Sequence, residues 1–314
     1  MSERVLSPVI AKYLAESPPL PNFKGIPIDE IRAKFNNRQK GFNANLPSHD
    51  LAIENELAET AEGPIPIRIY RPNIQKLCPT IVFFHGGGFV LGNLDTLEGY
   101  CRELAQLAHC IVVSVDYPLA PENPFPKPVE ASYAATCWIH DNLKKWKGDP
   151  DNLFVGGSSS GGTLAAAVSL MARDRMGPKL KGQILLCPMT DTDFNTKSYL
   201  ENQQGFMLTR DACIWFLSQY IPNSKDCTNP LAVPLQTEDF SNLPPTLIVT
   251  AEFDPLLDEG REYAKRLIDA DVLCDDLSYK GMIHGFPTLP MNFTEKENVF
   301  QKIHRFISNN QDQK

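Results

Sequence analysis

The sequence predicts an α/β fold built on a mostly parallel sheet with helices on both faces. Short, nearly continuous apolar runs recur at "TIVFFH" (80–85), "CIVVSVDY" (110–117), "NLFVGG" (152–157), "GQILLC" (182–187) and "TLIVTAE" (246–252). Runs this short and apolar read as strands buried on both faces. Helical stretches at 97–108, 128–146 and 163–173 lie between them, and a crossover helix is what joins neighbouring parallel strands.

The elements follow in chain order. "SPVIAKYLAES" opens on Ser7 as N-cap with Pro8 at the first helical position, and "PIDEIRAKFNNRQKGF" predicts a second short helix ending near Gly41. These two helices precede any strand, so residues 1–46 are expected as a helical appendage to a main domain over 47–314. "DLAIENELAET" and "PIPIRIYRP" alternate apolar and polar residues around an "AEG" turn, the period-2 signal of an antiparallel pair. After the buried runs, "VLCDDLSY" and "EKENVFQKIHRFIS" predict a last strand and a closing helix. Residues 190–240 interrupt the rhythm with a long polar and aromatic insertion, a candidate lid.

Composition narrows the function classes. A net charge of −8 disfavours nucleic acid and anionic membrane surfaces as partners. No charged-then-apolar leader and no long apolar run is present, so neither a secretory signal nor a stable membrane anchor is expected. The eight cysteines are scattered without a C-x-x-C pair, which predicts reduced thiols, no metal site and a cytoplasmic protein.

The chemistry concentrates where "NLFVGG" meets the following helix. Gly157-Ser158-Ser159-Ser160-Gly161 fits G-x-S-x-G in one register, which singles out Ser159. A nucleophile on a tight strand-to-helix turn projects its hydroxyl above the sheet, and glycines two residues either side avoid collision with strand and helix. A glycine-rich phosphate loop is the bland alternative, but no G-x-x-x-x-G-K-[ST] is present. A serine needs a base, and the base an orienting group.

Both should follow later strands in the order Ser, Asp or Glu, His. Asp254 comes after "TLIVTAE", and Pro255 keeps it extended rather than helical; Glu252, Asp258 and Glu259 compete with it. His284 follows the last strand, whereas His109, His140 and His304 fall in helical patterns with solvent-facing roles. In "TIVFFHGGGFVLG", the N–H groups of Gly86 and Gly87, with that of Ser160, would form an oxyanion hole, and His85 would support the loop. Phe89, Phe206, Met207 and Trp215 are candidates for an acyl or alcohol pocket, with core packing as the alternative for each.

Taken together, the motifs resemble the hormone-sensitive-lipase-like family of α/β-hydrolase esterases. H-G-G-G at 85–88, "DYPLAPENPFP" at 116–126, the serine turn, "EFDPLLDEG" at 252–260 and "IHGF" at 283–286 carry the resemblance. It implies an α/β-hydrolase fold of about eight strands with a helical cap made from the leading helices and the insertion. It further implies Ser159 as nucleophile, His284 as general base and acid, Asp254 as orienter, and short- to medium-chain carboxylic esters as substrates. No cofactor is implied, and family analogy suggests a homodimer through the last strand. Two positions depart from the pattern: Ser158 stands where aspartate is usual, and Pro118 where arginine is usual, removing a salt-bridge partner near the loops. Amide hydrolysis or deacetylation on the same machinery, and a non-catalytic small-molecule receptor, are the rival readings.

Overall fold

The computed structural model describes residues 4–17, 20, 23–44, 46, 50–73 and 75–311. The boundary expected after residue 46 abuts residues 47–49, which lie outside the described set, as does His49.

Two helices lead, α1 (Pro8–Glu16) and α2 (Ile28–Asn43). Ser7 caps α1 as its sequence requires, accepting from the Ile10 amide at 3.4 Å, with Pro8 at the start. The expected hairpin is β1 (Leu51–Thr60) and β2 (Gly63–Pro72), paired from Leu51↔Pro72 to Thr60↔Gly63. Then come β3 (Cys78–Phe84), α3 (Glu98–Leu107), β4 (Ile111–Val115), α4 (Lys127–Asn142), β5 (Gly148–Ser158), α5 (Ser160–Asp174) and β6 (Leu180–Leu186). The insertion carries α6 (Lys197–Glu201) and α7 (Arg210–Tyr220). The chain closes through β7 (Thr246–Phe253), α8 (Leu257–Asp269), β8 (Cys274–Ile283) and α9 (Thr294–Gln311).

All eight strands form one sheet in the order β1-β2-β4-β3-β5-β6-β7-β8, and β2 alone runs against the others. Alternate residues feed opposite faces. Val82 and Phe84 of β3 belong to the core shared with Val129 of α4, Leu164 of α5 and Tyr263 of α8, whereas Ile81 and Phe83 belong to the core shared with Tyr100 of α3 and Ile303 of α9. Helix α5 is covered on nearly every side, which explains its run of alanines and small residues. Its first turn therefore sits at the centre of the sheet's carboxyl edge, where crossover folds place their ligands. Among the described residues, no helix is long and apolar enough to cross a membrane.

Candidate active site

Ser159 stands between β5 and α5 with φ 57° and ψ −123°, a strained backbone for a residue carrying a side chain. Its amide donates to the Leu186 carbonyl at 2.8 Å, and its own carbonyl accepts from Gly162 and Thr163, fixing the turn. The flanking glycines are required by space. A Cβ on Gly157 would lie 2.1 Å from the Gly161 oxygen, and one on Gly161 would lie 2.0 Å from the Phe84 oxygen. The steric logic of the motif thus holds at both positions.

The two partners arrive from the ends of β7 and β8. His284 Nε2 lies 2.9 Å from Ser159 Oγ, and His284 Nδ1 lies 2.8 Å from Asp254 Oδ2. Asp254 is 1% exposed, and its other oxygen accepts from the Leu256 amide at 2.9 Å. Three residues from separate strand ends, the outermost two 125 positions apart in sequence, are positioned as a serine–histidine–aspartate triad. The rival acids are occupied elsewhere. Glu252 accepts from the Gly281 amide, Asp258 from the Ser198 amide, and buried Glu259 from the Thr190 amide at 2.7 Å. Burial also raises the Glu259 pKa well above the ordinary carboxylate value.

Of the remaining histidines, His85 is buried and stacks on Tyr117, with ring centroids 4.4 Å apart. Its Nδ1 lies 2.8 Å from the Gly86 oxygen, and burial lowers its pKa to about 4, so the ring is neutral and braces the glycine loop. His140 pairs with Asp141 at 3.2 Å, and His109 packs edge-on against His304.

Among the described residues, one group has the spacing of a metal site: Cys187, Asp254 and His284. Both imidazole nitrogens in it already contact Ser159 and Asp254, and burial with the neighbouring carboxylate raises the Cys187 thiol pKa far up. The donor set therefore fits a protonated thiol beside the triad better than an ion.

A cavity of about 380 Å³ opens beside Ser159 and His284. Of the four pocket candidates, Met207 lines it. Phe89 instead stacks on Tyr220 at 3.7 Å, Phe206 packs on Phe253 at 4.8 Å, and Trp215 packs on Phe23 at 4.8 Å. Phe216, one residue beyond Trp215, faces the cavity, as do Phe35 and Phe42 of α2.

Sequence reasoning also missed Arg32 of α2. Its guanidinium donates to the Val90 and Ala120 carbonyls, both at 2.9 Å, and grips Glu122 with two contacts of 2.7 Å. One side chain thereby ties the glycine loop to the "DYPLAPE" loop, the place where Pro118 left an arginine missing. A second tie runs through Arg4, which donates to Asn202 Oδ1 and to the Glu252 carbonyl at 2.7 Å each; Asn202 in turn donates to the Asp254 carbonyl at 3.0 Å.

With this geometry, comparison with known proteins becomes decisive. Residues 81–288 match the model of an alpha/beta hydrolase fold family. The chain belongs to that family. It is the family that the sequence motifs resemble. This hydrolase-fold chain is 44% identical over 234 residues to the carboxylic ester hydrolase LipN of Mycobacterium tuberculosis, covering 72% of this chain and 62% of LipN. It is 40% identical over 226 residues to the carboxylesterase NlhH of the same species, covering 71% of each. A hyperthermophilic esterase from the archaeon Pyrobaculum calidifontis superposes with a TM-score of 0.89 at 38% identity, covering 97% of this chain and 99% of that one.

Proposed function

We propose that this protein is a serine carboxylesterase that hydrolyses short- to medium-chain carboxylic esters. The observation that carries the reading is the unbroken chain from Ser159 Oγ through the His284 ring to the buried Asp254 carboxylate, at the wall of a largely apolar cavity. The relatives' names, ester hydrolase and carboxylesterase, point the same way.

The mechanism follows from the donors and acceptors. The Asp254 carboxylate only accepts, so His284 Nδ1 carries the proton between them and neutral Nε2 is free to accept from Ser159. Ser159 Oγ attacks the ester carbonyl as Nε2 takes its proton. Charge develops on the carbonyl oxygen, for which Gly86, Gly87 and Ser160 N–H groups form the oxyanion hole; among the described residues, none of these N–H groups joins the turn and loop bonding around them. The alcohol leaves with the proton from His284. Water, deprotonated by the same nitrogen, then releases the acid and restores Ser159.

Residues 1–46 and 190–240 form the cap in this reading. Helix α2 and the insertion both contribute cavity residues, Phe35 and Phe216 among them. Eight free cysteines suit a reducing cytoplasmic compartment.

The test is hydrolysis of p-nitrophenyl butyrate by the wild type and Ser159→Ala. The variant should lose about 10⁴-fold or more in kcat, the usual cost of removing a triad nucleophile. A variant as active as the wild type would refute the assignment; an inert wild type that binds apolar ligands would favour a receptor.

A further inference from the structure

A second cavity, of about 640 Å³, lies against α3 and α9 and shares three residues with the active-site cavity: Glu103, Asn292 and Lys296. Those residues form the wall between the two spaces. We propose that this second cavity is a subsite for the distal end of a long ester chain, reached from the active site when the Lys296–Glu103 pair swings aside; the inference rests on the esterase reading.

The wall is unusual in its chemistry. Lys296 is 3% exposed, although it lies in the first turn of α9, where the helix dipole disfavours a cation. Its ammonium donates to the Leu289 carbonyl at 2.9 Å and faces Glu103 Oε2 at 2.7 Å. The buried hydroxyl of Tyr100, which lines the active-site cavity beside this pair, has no hydrogen-bond partner among the described residues. An unsatisfied buried polar group penalises the closed arrangement. A lysine stem has four rotatable carbons, so the wall can rearrange without moving the backbone. Beyond it, Leu107 and Phe300 offer apolar contact to a hydrocarbon chain, and Glu297 offers the displaced ammonium a partner near solvent.

The experiment reads the ratio of kcat/KM for p-nitrophenyl decanoate to that for the butyrate. Each methylene moved from water into apolar surroundings is worth about fourfold. Lys296→Ala combined with Glu103→Ala, which removes both charges together, should raise the ratio about tenfold or more. Leu107→Trp, at a half-exposed position on the far side, should lower it by a similar factor and cancel the gain when added to the double variant. A ratio unchanged in folded Leu107→Trp overturns the subsite, even if the double variant does not fold. Absence of Ser159-dependent hydrolysis of either ester in the wild type would instead sink the esterase reading.

Discussion

Gly161→Ala adds a single methyl group, and its consequence can be worked from two distances. The new Cβ would sit 2.0 Å from the Phe84 oxygen and 2.6 Å from the His85 oxygen. Both are main-chain atoms, so no side chain can turn away. An ordinary carbon–oxygen contact is about 3.4 Å, so the first turn of α5 and the end of β3 must part by about 1.4 Å. Those two segments carry Ser159 and Ser160 on one side and His85 to Gly87 on the other. The methyl group therefore separates the nucleophile from the proposed oxyanion donors. Overpacking of this kind costs about 1–3 kcal/mol or more, and a displacement of about 1 Å costs about 10²-fold in rate. The comparator is Gly41→Ala on α2, where a Cβ meets nothing within 4 Å. There the same change should stabilise by about 0.5–1 kcal/mol. Urea unfolding and kcat/KM for p-nitrophenyl butyrate, measured on both variants, give the answer. Full activity in Gly161→Ala would show that the turn has slack that these distances deny.

Two more consequences concern the bracing of the site. Arg32→Met should lower stability by about 2 kcal/mol, from two lost charged hydrogen bonds to carbonyls, and reduce kcat/KM about tenfold; unchanged kinetics would mean that the glycine loop holds itself. His85 has its pKa lowered from 6.5 to about 4, so below pH 6.5 the unfolded chain takes up a proton that the native ring refuses. Its contribution to stability is thus complete at neutral pH and shrinks as pH falls through this window. Asp116, raised from 3.8 to about 6 by burial, acts oppositely, because the native form then binds the extra proton. Between pH 7 and 5, wild type should therefore lose about 2 kcal/mol more than His85→Asn, in denaturant titrations at both pH values; parallel losses would place a proton on native His85.

How far the sequence reaches depends on the range of the interaction. The turn at Ser159 was legible because its constraints are local: two glycines, a strand before, a helix after. Asp254 was legible for a similar reason, since Pro255 holds it out of the helix that claims Asp258 and Glu259. The hairpin itself was legible from alternation, and in the structure β2 lies beside β4 with Ile67 and Ile69 facing the core. The cavity lining was not legible. In α7, Trp215 and Phe216 are adjacent, and composition gives no means to say which one faces the cavity and which one Phe23. Phe206 and Met207 pose the same problem, decided by where Phe253 happens to lie. Arg32 did leave a signal: Ile28, Ile31, Arg32 and Phe35 fall at i, i+3, i+4 and i+7, so a charge occupies the apolar stripe of α2.

That difference in range has a structural meaning. The reacting groups stand on turns whose conformation is set within a few residues, at the edge of a sheet buried on both faces. The cavity walls come from segments that meet only in the folded chain: α2, the insertion, and the stretch between β8 and α9. Asn202 shows how the two are joined. It lies in the insertion, receives Arg4 from the leading segment, and donates to the carbonyl of Asp254 itself. A change in the cover therefore reaches the carboxylate that orients the imidazole through one buried amide. The leading segment, the insertion and the aspartate loop are joined by hydrogen bonds at that residue, so the proposed cover is tied to the frame that holds the triad.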